Sequence, residues 1–261
     1  QAVGLGAQAV LDRANLSDFD GQLTVTAGSA QASGDGGAYA RVSVQVLSDV
    51  AGQVWVADPV HALDVAVLDI SSAVHGGTVQ LGTAGSTGLA YLQLRDAMTE
   101  QVDIAGSLGR AVVALHMADE DFSASELKAG MMSLSGFRQG IDKFRFDFSQ
   151  LPAQAWQGFI SVGPGTVEAQ LDEFLQKANF QLSGFTQGGY TATLIGQDEY
   201  IAFDYDGIGV TGLIKLVNGA DGSVSGPGLA GVLTVPQQLN LDVTTISQTD
   251  VSDAGSELKS S

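Results

Sequence analysis

The feature that most constrains this chain is a rhythm. Short apolar runs fall at 65–70, 79–81, 89–94, 102–104 and 112–115, and turns on Gly76-Gly77, Gly82, Gly85, Gly88, Gly106 and Gly109 separate them. Their starts recur roughly every 10 to 14 residues, and runs this short, bounded by glycine, read as strands. Two architectures accept such a series. One is a β-sandwich; the other is the stacked rungs of a β-helix or β-roll. We find no consensus repeated from run to run, and the choice stays open at this level. Strands are also expected at 23–26, 40–46 and 54–56. The Ala/Leu content of residues 7–12 allows a short helix there, weakened at its start by Gly4 and Gly6. Abundant glycine (34) and scarce proline (5) suit many strands joined by tight turns.

Charge and cysteine remove several classes of function. The 29 acidic residues against 11 basic give a net charge of −18, which disfavours nucleic acid and anionic membrane surfaces as partners. Cysteine is absent, so disulfides, thiolate metal sites and a cysteine nucleophile are excluded. No apolar run reaches the ~18 residues needed to span a bilayer, so no transmembrane segment is expected. Without an initiator Met or a basic-then-apolar leader, Gln1 reads as the start of a processed product or of an excised piece.

The second half changes character, and the expected division is a serial-strand domain over 1–120, an α+β region over 121–236, and a strand with a polar tail over 237–261. A short helix is expected over 121–128, with Ser123 and Glu126 at capping-box spacing and Gly130 ending it. Phe144, Phe146 and Phe148 alternate with Arg145 and Asp147, the pattern of a strand with one buried face. Pro152 opens an expected helical turn over 153–157. Residues 166–179 form the strongest helix: Thr166 caps it, and Val167, Leu171, Phe174, Leu175 and Ala178 make one apolar stripe. Leu134-Ser135-Gly136-Phe137 is echoed by Leu182-Ser183-Gly184-Phe185, and equivalent strand-to-turn positions are expected for both. Strands follow at 190–195, 200–203 and 212–217, and a last one is expected at 239–246. The fold class is thus mainly β, with a few short helices packed against a C-terminal α+β region.

Gly136-Phe137, Gly140 and Asp142-Lys143, followed by an alternating apolar strand, resemble the GF-x-x-G-x-DK-hydrophobic segment near the C-terminal ends of bacterial RTX-like surface-layer and adhesin proteins exported by type I secretion. Asp204-Tyr205-Asp206-Gly207 between two strands also looks like the closing section of such proteins. The resemblance spans 134–216 and implies a secreted, extracellular, cell-surface protein. The chain departs from the RTX pattern in lacking a Gly-Gly-x-Gly-x-Asp array.

No catalytic constellation is legible. Gly-x-Ser-x-Gly, a βαβ Gly-x-Gly-x-x-Gly and a Walker loop are absent. His61, His75 and His116 stand in separate segments without Ser/Asp or metal spacing around them. Asp119-Glu120-Asp121, Asp142, Asp147, Asp204 and Asp206 supply carboxylates of the kind a glycosidase pairs, although in an acidic chain such residues are mostly solvated surface. Calcium is the one cofactor considered. Asp204 and Asp206 before Gly207 have the spacing of the first two EF-hand ligands, and Asp18 and Asp20 before Gly21 repeat it. Lys215 stands where that motif needs its twelfth-position Glu, so any site is a looser cage, and the competing reading is an Asx-turn.

The expectation is a non-enzymatic structural or adhesive module: surface layer, filament or adhesin. The alternative is a non-catalytic domain of a secreted hydrolase, or a β-helix polysaccharide-active enzyme. The expected partners are other copies of the chain and a cell-surface glycan. Residues 1–11 carry no charge and suit strand addition to a neighbouring copy or cover for their own core.

Overall fold

The computed structural model describes residues 7–11, 22–27, 41–46, 54–61, 64–71, 78–95, 101–104, 106–116, 122–138, 141–146, 156–184, 188–218 and 241–243. Strands predominate, in parallel and mixed sheets. The chain divides into two units, one built on Gln1–His116 and the other on Met117–Thr245.

In the first unit the chain changes sheet after every strand. β1 (Ala7–Leu11), β3 (Arg41–Val46), β5 (Val65–Ser71), β7 (Leu89–Arg95) and β9 (Arg110–His116) line up in that order in one sheet. β2 (Gln22–Ala27), β4 (Val54–Pro59), β6 (Thr78–Leu81) and β8 (Gln101–Asp103) line up in the other. Every pairing among them is parallel, each strand bonding the one two places on. Arg41, Val65, Leu89 and Arg110 therefore share one register position, and Val54, Thr78 and Gln101 another. β4 lies against both β5 and β7, so the sheets stack.

Burial explains why the apolar runs were continuous in β5, β7 and β9. Val65, Val67, Leu89, Tyr91, Val112 and Ala114 form one buried cluster. The intervening Ala66, Leu68, Ile70, Ala90, Leu92, Leu94, Ala111, Val113 and Leu115 are buried as well. Strands covered on both faces have no polar face to present. β6 and β8 differ: Val79, Leu81 and Val102 are buried, whereas Gln80 and Asp103 are half-buried; in β4, Trp55, Val56 and Ala57 are all buried.

The turns stack as closely as the strands. Ser86 O accepts hydrogen bonds from Leu108 N and Gly109 N, both at 2.9 Å, and Gly88 O accepts one from Arg110 N at 3.0 Å. Asp58 of β4 anchors the turn that follows β6: its Oδ1 accepts from Thr83 Oγ1 at 2.9 Å and Ser86 Oγ at 2.5 Å. Here the sequence reading is corrected, for a local consensus does exist. Ala84-Gly85-Ser86-Thr87-Gly88-Leu89-Ala90 recurs as Ala105-Gly106-Ser107-Leu108-Gly109-Arg110-Ala111. Gly85 and Gly106 take the same left-handed conformation, φ +96° and +93°, where only glycine is unstrained. The signal lies in the turns, not in the apolar runs. A second correction concerns residues 7–11, which are strand rather than helix. A helix this short is unstable alone, whereas β3 supplies β1 with a ladder.

The second unit holds β10 (Met132–Ser135), β11 (Lys143–Phe146), β12 (Trp156–Phe159), β13 (Gly189–Ile195), β14 (Asp198–Asp204), β15 (Gly212–Leu216) and β16 (Leu241–Val243), with helices α1 (Ala124–Ala129) and α2 (Val167–Leu182). A mixed sheet runs β12-β13-β14-β15-β10. β12 and β13 are parallel and joined through α2; β13, β14 and β15 are antiparallel neighbours; β10 is parallel to β15. β11 pairs in parallel with β16. Leu171, Phe174, Leu175, Ala178 and Leu182 of α2 pack with Ile195, Tyr200, Ala202 and Leu213 of the sheet. Ser123 and Glu126 form the expected capping box on α1, and Gly130 caps its end. Lys128 of α1 ties to Glu168 and, at 2.7 Å, to Asp172 of α2.

Three local expectations change here. Helix α2 continues to Leu182, while Val167 at its start is exposed. Leu134 is therefore in a strand and Leu182 in a helix, so the two Leu-Ser-Gly-Phe copies are not structurally equivalent. They share only a left-handed glycine, Gly136 at φ +76° and Gly184 at φ +96°. The expected helical turn over 153–157 gives way to strand at Trp156, because β13 offers it a partner. Of the alternating phenylalanines, Phe144 is fully buried and stacks on Phe137 at a centroid distance of 5.0 Å. Asp147, Phe148 and the side chains of Arg145 and Phe146 lie outside the described residues.

Candidate functional site

The best-formed acidic site is the turn between β14 and β15. Asp204 is the last residue of β14, and its side chain is fully buried. Its Oδ1 accepts hydrogen bonds from Asp206 N at 3.0 Å and Gly207 N at 2.8 Å. Asp206 repeats the arrangement, Oδ1 accepting from Ile208 N at 2.9 Å. The Asp-x-Asp-Gly spacing thus folds as two successive Asx-turns. Gly207, at φ +79°, lets the chain reverse. The turn is pinned to the end of α2: Gly207 O accepts from Gly184 N at 2.6 Å, and Asn179 Oδ1 from Val210 N at 3.2 Å. At the base, Thr211 N donates to Phe203 O at 2.8 Å. A Cβ on Gly212 would collide with the Phe203 ring.

One carboxylate oxygen is left over. Asp204 Oδ2 is buried and has no hydrogen-bond partner. Burial pushes this carboxyl up to about 7, against the two backbone N–H donors, and the nearby Asp206 carboxylate adds to the rise. A proton or a cation would relieve it. Asp204 through Oδ2 and Asp206 are the residues here that could hold a cation. Among the described residues no group of three or more His, Asp or Glu side chains is placed to hold a metal. A cation would therefore complete its shell with backbone carbonyls and water. Asp18 and Asp20 lie outside the described residues.

The other candidate acids divide. Asp142 is fully buried and clasped by Arg138: Nε donates to Oδ2 and Nη2 to Oδ1, both at 2.9 Å, and Arg138 N donates to Oδ2 at 2.8 Å. This forked pair ties Arg138, just after β10, to Asp142, just before β11. Asp119, Glu120, Asp121 and Asp147 lie outside the described residues. His61 does have an acidic neighbour, contrary to the reading from spacing. Its Nδ1 lies 2.9 Å from Oδ2 of the buried Asp64, which also accepts from His61 N at 3.0 Å. These bonds fix the Asp64 carboxylate at the residue just before β5. His75 lies outside the described residues, as does the side chain of His116.

Sequence reasoning missed Glu199. It sits in β14 between Leu194 of β13 and Leu216 of β15 in register. It is 3% exposed, and Oε1 has no partner. Burial pushes its carboxyl up to about 8, and burial together with the charge of Glu199 raises Tyr190. The sequence offers no signal for it, because Glu199 follows Asp198 at the start of β14, where a carboxylate reads as the solvated end of a strand.

Among the described residues no helix is long and apolar enough to cross a membrane. Comparison with protein-family models, curated proteins and solved structures finds no match.

Proposed function

We propose that this chain is a secreted structural or adhesive module of a bacterial cell surface, non-enzymatic, in which the first unit is a β-solenoid that joins copies end to end. The observation that carries this reading is the parallel pairing of each strand with the one two places on, in two stacked sheets with stacked turns. Such a stack grows by addition of equivalent units and has ends rather than a closed surface. At one end lie β1 and β2, each with one sheet edge lacking a strand partner among the described residues. Neither AQAVL nor QLTVTA contains a charge or a proline to blunt that edge. The resemblance of residues 134–216 to type I-secreted surface proteins supports an extracellular setting, and the absence of cysteine is in keeping with it. The clasp of Asp142 by Arg138 favours a structural role for that carboxylate over acid catalysis. Calcium between Asp204 and Asp206, and a glycan ligand, belong to the same reading.

The test is assembly. Sedimentation and electron microscopy of the intact chain should show concentration-dependent fibres, sheets or discrete oligomers. A chain lacking residues 1–11, and with them β1, should shift towards monomer, and one that assembles as the intact chain does removes β1 as the joint. A wild-type chain that stays monomeric at high concentration overturns the reading.

A further inference from the structure

A groove of about 490 Å³ opens beside β12, lined in part by Phe159, Ile160, Lys177, Phe180 and Gln181. That volume lies within the ~300–1,000 Å³ of ligand-holding clefts. One wall is the last residue of β12 and the segment that follows it; the other is the last turns of α2. We propose that this groove binds an extended acidic–apolar peptide segment of another protein, added as a strand to β12.

Four observations carry this. β12 ends its sheet, with β13 on one side and no strand on the other among the described residues. A free edge presents backbone donors and acceptors that only another extended chain satisfies in register. Phe180 is 83% exposed on a helix whose sheet-facing residues are buried, and with Phe159 it gives the groove an aromatic wall. Gln181 lines the groove and its buried Oε1 has no hydrogen-bond partner, so a small side-chain rotation would offer the incoming backbone an acceptor. Among the described residues that line the groove, Lys177 carries the one charge. Its Nζ donates to Ser161 O at 2.9 Å and to Glu173 Oε1 at 2.7 Å. An ammonium has three donors, and the third suits a carboxylate on the incoming segment.

The groove is also held ready. Gly163 N donates to Glu173 Oε2 at 2.9 Å, and Gln170 Nε2 donates to Gly163 O at 2.8 Å, so the segment after β12 is laced to α2. A preformed cleft spends little of its binding energy on ordering. The inference does not depend on the assembly reading, because the groove lies on a different unit from the β1 and β2 edges.

The experiment uses the full chain and two fluorescein-labelled, end-blocked octapeptides, one alternating Asp with Leu and the other Lys with Leu. Fluorescence anisotropy should show saturable binding of the acidic peptide and much weaker binding of the basic one. Phe180→Asp, at an exposed position that leaves the fold intact, should weaken the acidic peptide about tenfold or more. Lys177→Gln should narrow the difference between the two peptides. Absence of saturable binding overturns the proposal, as does equal binding of both peptides or indifference to Phe180→Asp. Self-association that Phe180→Asp abolishes, without any peptide binding, would assign the groove to a second copy and overturn it too.

Discussion

A side chain at Gly109 would begin on the carbonyl oxygen of Gly88, the equivalent residue of the preceding turn. The two glycines are stacked in register, one position before β9 and β7. Gly109→Ala therefore forces turn and turn apart. Overpacking of this kind costs about 1 to 3 kcal/mol, more here because the obstacle is backbone. Equilibrium denaturation followed by far-UV circular dichroism should show that loss. A variant as stable as wild type would refute the stacking of these turns.

Glu199 gives the stability a pH dependence of definite sign. Its carboxyl is raised from 4.5 to about 8 by burial. The folded state thus holds the proton more tightly than the unfolded state. The stabilisation is complete below about pH 4.5 and is lost as pH rises through about 8, at a slope of at most ~1.4 kcal/mol per pH unit. Glu199→Gln should flatten that decline between pH 5 and 8. Parallel profiles for the two proteins would remove Glu199 as its origin.

The Arg138 and Asp142 pair offers a separate test. Asp142 is fully buried, and removing one partner of a buried pair costs about 3 to 5 kcal/mol by leaving a charge uncompensated. Asp142→Asn should destabilise strongly. Arg138→Met with Asp142→Leu should recover much of the loss, because neither charge is then stranded. A double variant worse than the sum of the singles would contradict this account.

Calcium should raise the melting temperature of the wild type, and Asp204→Asn should abolish that shift. Because the Asp204 carboxyl sits near 7, protons compete with the cation. The shift should be larger at pH 8 than at pH 6. A melting temperature indifferent to calcium and to chelator at both pH values would leave the turn as a pair of Asx-turns only.

How much could be read beforehand depended on the range of the interaction. Local chemistry was legible. The capping box of Ser123 and Glu126 and the Thr166 cap act within one helical turn, and both helices start there. The strands β5 to β9 were visible as apolar runs, because burial on both faces removes polar alternation from β5, β7 and β9. The turn at Asp204 was found from its spacing, since an Asx-turn needs only neighbouring residues.

What tertiary structure alone decided is every pairing between distant segments. Leu-Ser-Gly-Phe occurs twice, yet Leu134 adds to β15 while Leu182 closes a helix that Phe174 and Leu175 bury against the sheet. Residues 7–11 have the composition of a helix, and β3 made them a strand. The proton on Glu199 is invisible in the sequence for the same reason. A carboxyl among solvated acidic residues and one enclosed by Leu194 and Leu216 have the same letter, and only the surroundings set the cost of its charge.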